Sequence, residues 1–572
     1  MQFKYYFLAI LLVSGITGCD YLDQQIYSSI TRKNLESNYT YLAQLGYAPY
    51  TYLRHGFTVI DNNIMAAVTD EAEQTAPWSQ AQFYNNGSWN AYFNPLDVYR
   101  NNYGGIRTAH FFLDYSDDYK NKLMVNRDTI ASPSTGYWQD VENIEWLRAE
   151  ANILIAWFYF DLIKRYGGVP LVEKALDIDD NTDLPRADFN RIVEYIVSKI
   201  DENKNQLYGN WKSRDVNRDG RFTLGAALAL KSRILLYAAS PLYNESADLK
   251  KWEDAAKAAN DVIQLQKWVW TSGGAFGTTT ITDDKAYVLA GNYRQLFQET
   301  ASVTDDEIIW SIRLGQTPAM EQLNYPIGTP GGNSGVTPSH NLVSAYEYTG
   351  APDPDDPYKN RDPRLSASIV VNNSSWNGRT IEIWQDGRDS WNNTNASRTG
   401  YYLKKFLVEN LDITHGEQRA RNWIVFRLAE ILLNYAEAMN EAYGPDNDPL
   451  NYGMTAREAV NTVRGRTSVE MQPVDVAASD QTGMREKIKH ERRIELAFED
   501  HRYWDLRRWK DGAELGKPLL GIRATKVGDD VFSYSVITVE ERAFDTAKMY
   551  YFPVLDEEIR KSKGILTQNP GW

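Results

Sequence analysis

The most densely charged stretch of the chain, residues 490–509, carries the residue types that metal-dependent catalysis uses. His490, Glu491, Glu495 and His501 could be drawn as metal ligands, but a zinc protease needs the order His-Glu-x-x-His, and Ile494 occupies the position of the second histidine. The other charged residues of the stretch mix both signs: Arg492, Arg493, Glu499, Arg502, Asp505, Arg507 and Arg508. This mixture favours a partly buried ion-pair network that fixes a helix–loop corner. We therefore predict that residues 490–509 are structural.

A second polar stretch, residues 215–223, resembles the first half of an EF-hand calcium loop. Asp215, Asn217 and Asp219 supply oxygen atoms at positions 1, 3 and 5, and Gly220 stands at position 6. Position 12 is Ala226 instead of the bidentate glutamate, which excludes a complete EF-hand. We expect a polar turn before the next helix, with an irregular calcium site as the less favoured alternative, and no other metal or cofactor.

Other catalytic patterns are weak in this sequence. No G-x-S-x-G nucleophile motif stands in a strand–turn–helix setting, and the glycine-rich residues 331–335 lack the lysine of a phosphate-binding loop. Glycoside hydrolysis needs two carboxylates that face one bond, but the chain has 76 acidic residues, so candidate pairs carry no information. We expect no catalytic residues and a binding protein instead of an enzyme.

The composition restricts the classes of partner. The net charge of −15 disfavours nucleic acid and anionic lipid surfaces, both of which attract basic proteins. The single cysteine, Cys19, excludes a disulfide within the chain. Aromatic residues make up 13% of the chain, with 17 Trp and 37 Tyr. Most of these rings are expected in helix–helix seams, and a few in loops are expected to be exposed faces for a ligand.

The first residues have the pattern of a targeting signal and are not expected to be part of the fold. Lys4 precedes an apolar run from Tyr5 to Val13, and small residues lead to Cys19. This pattern predicts a secretory signal peptide at 1–18, too short to span a membrane. The ending Ile16-Thr17-Gly18-Cys19 resembles a lipobox, in which the cysteine is lipidated. We predict a lipid-anchored protein with a polar tether at 19–37.

The remaining chain alternates helical patterns with polar loops. Apolar residues recur at helical spacing over residues 142–166, 188–207, 224–239, 252–265, 423–443 and 456–463. Helix pairs of this kind resemble tetratricopeptide repeats, which stack to bury a shared face. Residues 268–420 are instead rich in Gly, Asn, Thr, Ser and Pro, with short strand-like runs such as 307–312. The prediction is a mainly α fold: a helical scaffold at 38–267 and 421–572 that carries a loop-rich insert at 268–420.

Several strings of residues, in a fixed order, resemble the SusD/RagB family of outer-membrane lipoproteins from Bacteroidota. They are residues 148–162 with Tyr166-Gly167-Gly168-Val169-Pro170-Leu171, residues 225–241, Leu342 to Glu347 with Arg361-Asp362-Pro363-Arg364-Leu365, residues 491–509 and Gln568-Asn569-Pro570-Gly571-Trp572. The resemblance covers nearly the whole chain, and residues 491–509 are its most specific part. It implies the SusD/RagB fold with tetratricopeptide-like helix pairs.

The same resemblance implies a function. It implies a protein exposed on the outer membrane that captures glycans and delivers them to a SusC-like TonB-dependent transporter. Some relatives deliver peptides, so a peptide-capturing lipoprotein is the first alternative. A surface glycoside hydrolase and a lid of the transporter with no ligand of its own remain further alternatives.

Two regions offer the aromatic faces and polar groups that sugars need. One is residues 70–90, a segment that contributes to the ligand face in this family; the other is the insert. The expected ligand-binding residues are Trp78, Tyr84, Trp89, Tyr325, Trp376, Trp384 and Trp391. Of these, Trp78, Trp89 and Trp384 are the preferred stacking residues, and Asp389 and Asn392 are among the polar groups expected near the insert's aromatics.

Overall fold

The computed structural model describes residues 31–130, 136–177, 179–181, 183–215, 218–271, 278–298 and 305–572. The predicted signal peptide and Cys19 lie outside the described residues. The last residues of the predicted tether form a short helix, Arg32–Ser37, which begins where the Thr31 side chain accepts a hydrogen bond from the Asn34 backbone amide. Within the described ranges no helix is long and apolar enough to cross a membrane.

A stack of long helices forms the scaffold and confirms the mainly α prediction. The helices are α1 (Tyr39–Tyr47), α2 (Tyr99–Tyr115), α3 (Gly136–Tyr166), α4 (Phe189–Asn203), α5 (Leu224–Ala239), α6 (Leu249–Ile263), α7 (Leu428–Tyr443), α8 (Ala456–Arg464) and α9 (Gln481–Glu495). Neighbours in sequence pack on one another from α1 to α8, and α9 also packs on α7. One continuous apolar core runs through the stack.

Short helices decorate this scaffold. They are Arg32–Ser37, Ala81–Asn85, Tyr119–Leu123, Trp211–Arg214, Tyr293–Leu296, Ala319–Asn324, His340–Val343, Pro363–Ser368, Arg502–Arg508 and Asp556–Lys561. Single 3₁₀ turns occur at Ala48–Tyr52, Gly56–Thr58, Met65–Val68, Lys204–Gln206, Ile413–His415 and Gly512–Gly516.

The strands form small two-stranded antiparallel sheets. They are β1 (Ala72–Gln74), β2 (Val169–Pro170), β3 (Arg186–Ala187), β4 (Gln266–Thr271), β5 (Thr278–Lys285), β6 (Ile308–Thr317), β7 (Val336–Pro338), β8 (Ile369–Val370), β9 (Ser375–Trp376), β10 (Arg379–Thr380), β11 (Tyr402–Leu403), β12 (Arg419–Arg427), β13 (Leu519–Gly528) and β14 (Val531–Glu540). β1 pairs with β7, β2 with β3, β4 with β5, β6 with β12, β8 with β11, β9 with β10, and β13 with β14.

Local sequence explains where the central helices begin and end. The Thr223 side chain accepts a hydrogen bond from the Ala226 amide at the start of α5, and a capping box between Thr455 and Glu458 starts α8. α3 ends at Gly167, whose φ of 71° is the left-handed conformation that glycine adopts most easily. A Cβ at Gly168 would lie 2.3 Å from the Ala187 carbonyl oxygen, so the Gly-Gly pair also allows β2 to approach β3.

The predicted helix at 423–443 is wrong over its first residues. Residues 423–427 belong to β12, and α7 begins only at Leu428. β12 pairs with β6, with Trp423 opposite Ile312 and Phe426 opposite Trp310. Because α6 packs directly on α7, the chain leaves the helical stack after α6 and returns along β12. The boundaries of the predicted regions 38–267, 268–420 and 421–572 stay a prediction.

Candidate ligand-binding site

Exposed aromatic rings cluster on the short segment between β1 and α2. Trp78 is 79% exposed and Tyr92 is 80% exposed, although both are large rings that normally lose solvent contact on folding. Phe83 and Phe93 are also exposed and touch edge to face, with ring centroids 4.7 Å apart. Exposed apolar rings that are fixed in place are typical of ligand-binding surfaces. We call Trp78, Phe83, Tyr92 and Phe93 the aromatic face.

The backbone around Trp78 is held by the insert. β1 pairs with β7, and beyond it the Thr75 amide donates to the Gly335 carbonyl oxygen at 2.8 Å. The Thr75 hydroxyl also donates to the Ser334 carbonyl oxygen at 2.5 Å. These contacts join the loop that carries Trp78 to the glycine-rich residues 331–335. Loops held on a rigid scaffold are the usual carriers of binding residues.

Two further contacts fix the helix Ala81–Asn85 that follows. The side chain of Asp61 accepts hydrogen bonds from the Ser79 hydroxyl and from the Gln80 amide, the latter at 2.8 Å. After the helix, the Asp556 amide donates to the Ala91 carbonyl oxygen at 3.0 Å, which anchors the turn that carries Tyr92. The aromatic face therefore has an ordered backbone on both sides of this helix.

Asp70 and Glu73, just before β1 and in it, stabilise the fold. Asp70 lies 2.8 Å from both Arg493 and Arg502. Burial opposes its ionisation, but these two guanidinium groups hold the pKa of Asp70 well below its usual range. Glu73 is buried and pairs with Arg398 at 2.5 Å. These carboxylates are therefore occupied by arginines and are not presented to a ligand.

Glu71 differs from its neighbours because no arginine pairs with it within the described chain. Burial, with the charge of Asp70 beside it, raises the pKa of Glu71 to about 8. One of its oxygens accepts a hydrogen bond from the Phe498 amide at 3.2 Å. Burial likewise raises the pKa of Glu73 to about 7, in spite of Arg398.

Four of the seven predicted ligand-binding residues are buried, which contradicts their predicted role in stacking on a ligand. Tyr84 and Trp89 are core residues that stack at 4.8 Å, and Trp89 also packs on Phe552 at 5.0 Å. In the insert, Tyr325 and Trp376 are fully buried and meet edge to face at 6.3 Å. A ring enclosed on all sides has no face on which a sugar can stack. Both rings belong to the continuous apolar core that also runs through the helical stack.

The other two insert tryptophans that were expected to bind ligand, Trp384 and Trp391, are half-buried. Trp384 packs on Phe532 at 5.1 Å, and the Lys526 ammonium lies 5.3 Å from its ring centre. Trp391 lies under the Arg523 guanidinium at 4.6 Å. Both rings therefore contact the hairpin β13–β14, away from Trp78 in the sequence. Asp389, expected to be polar surface, is fully buried and pairs with Arg379 at 2.6 Å.

Three exposed rings are absent from the seven expected ligand-binding residues: Phe83, which lies in the predicted region 70–90, and Tyr92 and Phe93, which lie beyond it. The Asn90 side chain accepts a hydrogen bond from the Tyr92 amide at 2.9 Å, and Asn90 and Phe93 close a bridge. The string Asn90-Ala91-Tyr92-Phe93-Asn94-Pro95 could have revealed this turn, since turn-forming residues flank both aromatics.

The charged stretch 490–509 forms the predicted buried network. Glu495, which solvent does not reach, lies between the guanidinium groups of Arg364, Arg427 and Arg466 at 2.9, 2.7 and 2.8 Å. Burial opposes ionisation, but the three arginines hold the pKa of Glu495 far below its usual range. Arg492 and Arg508 share Asp505 in the same way. Glu491, Glu495, Glu499 and Asp505 are each bound by arginine, which indicates a structural role, whereas Asp500 has no ion pair among the described residues.

The calcium loop and the lipid anchor both stay predictions. Asn217 and Cys19 lie outside the described residues. Asp219 is half-buried near Lys212, and burial raises the pKa of Asp219. No cluster of three or more His, Cys, Asp or Glu side chains in the described part of the chain has the geometry of a metal site. A calcium site at Asp215 and Asp219 stays untested.

Comparison with known families assigns most of the chain. Residues 297–572 match the family described as the SusD family, and residues 20–236 match the family described as starch-binding associating with outer membrane. A SusD-like protein of Formosa agariphila is 25% identical over 379 residues, which are 64% of this chain and 63% of that protein. The match therefore spans a little under two thirds of that relative's length.

Solved structures of the same fold exist. A SusD-like protein from Bacteroides fragilis superposes with a TM-score of 0.73 and 26% identity, covering 95% of this chain and 99% of that one. A SusD-like carbohydrate binding protein, also from Bacteroides fragilis, superposes with a TM-score of 0.71 and 22% identity, covering 93% of this chain and 99% of that one. Both comparisons agree with the helical stack described above.

Proposed function

Because this chain belongs to the SusD/RagB family of Bacteroidota, we propose that it captures glycans at the cell surface and delivers them to a SusC-like TonB-dependent transporter. The observation that carries the proposal is the aromatic face, where Trp78 and Tyr92 are exposed on an ordered backbone. Pyranose rings stack their apolar C–H surfaces on such rings. The family description of starch binding and the carbohydrate-binding relative support the same ligand class.

We propose capture without catalysis. Two buried carboxylates of the segment before Trp78, Asp70 and Glu73, are paired with arginines, so this pair is poorly suited to act as the acid and nucleophile of glycoside hydrolysis. A carrier must also release its cargo. Stacking on a few exposed rings gives modest affinity, which suits a protein that hands its ligand to a transporter.

Affinity electrophoresis of the chain without residues 1–19 tests the ligand class. The protein is run through gels that contain different soluble polysaccharides, and each mixture is checked for new reducing ends. We expect retardation by at least one glycan, no cleavage, and loss of retardation in Trp78→Ala and Tyr92→Ala. Trp138→Ala is the matched control, because Trp138 is another exposed tryptophan, 39% accessible and hydrogen-bonded to Thr129 on a different part of the surface.

The alternatives predict other results. New reducing ends would contradict capture without catalysis and favour a hydrolase. Absence of retardation by every glycan, combined with salt-sensitive binding of basic peptides, would favour a peptide-capturing protein, because the net charge is −15. The proposed anchor is tested separately: Cys19→Ala should move the protein from the membrane fraction to the soluble fraction.

A further inference from the structure

A deep cavity of about 100 Å³ lies where the N-terminal loop, the helical stack and the C-terminal residues meet. Its walls come from the loop 52–65, from α2, α3 and α5, from β12, and from residues 499–504. A single water molecule needs about 10–15 Å³ on the same scale, so the cavity is several times larger than a water site. It is separate from the aromatic face, since none of the rings of that face lines it.

The charges of the cavity wall are mostly paired with each other or with residues behind the wall. Lys164 pairs with Asp161 at 2.8 Å, Arg233 pairs with Glu430 at 2.6 Å, and Glu499 is bound by Arg427. Two wall residues remain without an ion pair in the described part of the chain, Arg54 and Asp500. Arg54 donates only to backbone carbonyl oxygens, including that of Asp97 at 3.3 Å.

Three wall residues also have a buried polar atom without a hydrogen-bond partner among the described residues. They are Nδ1 of His55, Nε of Arg165 and Oδ1 of Asp500. Arg165 is only 7% exposed, so this donor is deep in the protein. Buried polar groups are nearly always satisfied, and each exception at a cavity indicates a site that a polar molecule can fill.

The backbone at Asp500 is unusual. Phe498 and Asp500 both have positive φ, 67° and 61°. A bulky residue such as phenylalanine seldom adopts this conformation, and such positions concentrate at functional sites. Burial raises the pKa of Asp500 to about 7, which agrees with a carboxylate that has no cation in direct contact.

The remaining wall groups define the chemistry of a ligand. Tryptophan rings contribute apolar surface: Trp157, Trp423 and Trp504. Burial lowers the pKa of both His55 and His501, so the imidazoles are neutral at neutral pH and each can donate and accept a hydrogen bond. Arg165 donates and Asp500 accepts. A hydroxyl group can both donate and accept, so a ligand with several hydroxyl groups can bind Arg165 and Asp500 at once. A simple ion would satisfy only one of these two residues.

We propose that this cavity is a second ligand site, which binds one small polyhydroxylated molecule of monosaccharide size through Asp500, Arg165 and His55. The cavity is too small for a polysaccharide chain, so its ligand is distinct from the glycan of the aromatic face. This site does not depend on the proposed capture function. The ligand enters from the side of Arg54, which is the exposed residue of the wall.

Calorimetry with D-glucose, D-galactose and D-mannose, together with crystals soaked in each sugar, tests the site. We expect one of them to bind in a one-to-one complex, with electron density for the sugar beside Asp500. At pH 8, above the pKa of Asp500, Asp500→Asn keeps the size of the side chain but should weaken binding at least tenfold, because a charged acceptor is lost. His55→Gln provides a second variant in case the first unfolds, and should weaken the same binding.

The control separates this site from the surface site. Trp78→Ala should leave monosaccharide binding unchanged, whereas the proposed polysaccharide binding should be lost in Trp78→Ala and retained in Asp500→Asn. Density for water alone in every soaked crystal, with no heat of binding, would overturn the proposal. If Asp500→Asn and His55→Gln both bound the sugar as tightly as the unsubstituted protein does, the proposal would be overturned as well, because the sugar would then lie elsewhere.

Discussion

Arg427 and Glu495 form an ion pair of 2.7 Å at a depth that solvent does not reach. Arg427 ends β12 and Glu495 ends α9, so the pair joins the strand that leaves the insert to the last long helix. Arg364 and Arg466 contact the same carboxylate. Three guanidinium groups therefore share one glutamate, and each also pairs with another carboxylate of the same network.

Glu495→Gln should destabilise the protein by about 3–5 kcal/mol, because removal of one partner leaves buried charges without compensation. The free energy of unfolding in urea measures this loss. Glu486→Gln, on the exposed side of the same helix, is the control and should change the stability by less than about 0.5 kcal/mol. A folded Glu495→Gln with parental stability and altered ligand binding would show a functional role instead of a structural one.

Trp89→Ala should reduce the stability of the protein, whereas Trp78→Ala should reduce its glycan binding. Trp89 packs among Tyr84, Phe552 and Trp572, so its truncation should cost about 3–5 kcal/mol of stability. Trp78 is exposed, and its truncation should leave the stability within about 0.5 kcal/mol while it reduces glycan binding. Thermal unfolding and affinity electrophoresis of both variants measure the two effects. A stable Trp89→Ala that no longer binds glycan would restore Trp89 to the ligand site.

The pKa of Glu71 gives a pH dependence with a definite sign. Its pKa is about 8 in the folded protein and has an ordinary value of 4.5. The folded state therefore keeps a proton that the unfolded state releases, and stability is lost as the pH rises from about 5 to about 8. Glu71→Gln removes this loss, so the variant should gain on the order of 1 kcal/mol relative to the parent between pH 6.5 and pH 8.

The comparison with the parent isolates Glu71 from other titrating groups. His110 and His501 have lowered pKa values and change stability in the opposite direction below about pH 6.5. Glu145→Gln, at an exposed position, is the matched control for the substitution itself. A constant difference between Glu71→Gln and the parent over this range would show that Glu71 is ionised in the folded state.

Calcium removal should leave the protein unchanged. Position 12 of the loop is Ala226, which lies in the first turn of α5 and has no oxygen in its side chain. We expect the same melting temperature with and without a chelator, and no calcium by elemental analysis after dialysis. A melting temperature that falls on chelation and recovers on addition of calcium would establish a site at Asp215 and Asp219.

Helix periodicity predicted most of the scaffold. The predicted helix 224–239 has the same limits as α5, because Thr223 starts it and Pro241 follows it. The predicted helix 142–166 begins earlier, at Gly136. The error at residues 423–427 arises because β12 exists only through its pairing with β6, more than a hundred residues away in sequence. Local pattern carries no information about such distant pairing.

The candidate site was predicted less well than the fold. Residue type does not distinguish Trp78, which is exposed, from Trp89, which is buried. It also does not distinguish the half-buried Trp384 of the insert from Trp376, which is buried. Exposure depends on which distant segment covers each ring: Trp89 is covered by Phe552 and Trp572. The role of residues 490–509 was predictable because the required zinc spacing is absent and the charges balance.

The segment that carries the aromatic face is joined to residues far along the chain. Arg542 donates to the Ala72 carbonyl oxygen at 2.9 Å, Arg502 binds Asp70, and Asp556 holds Ala91. Each contact closes a loop of more than four hundred residues, and loop closure of this length is slow. During synthesis, the aromatic segment therefore cannot form these contacts until almost the whole chain has been made. Its exposed rings are a hazard for aggregation in that interval, and a chaperone that shields them should raise the yield of folded protein.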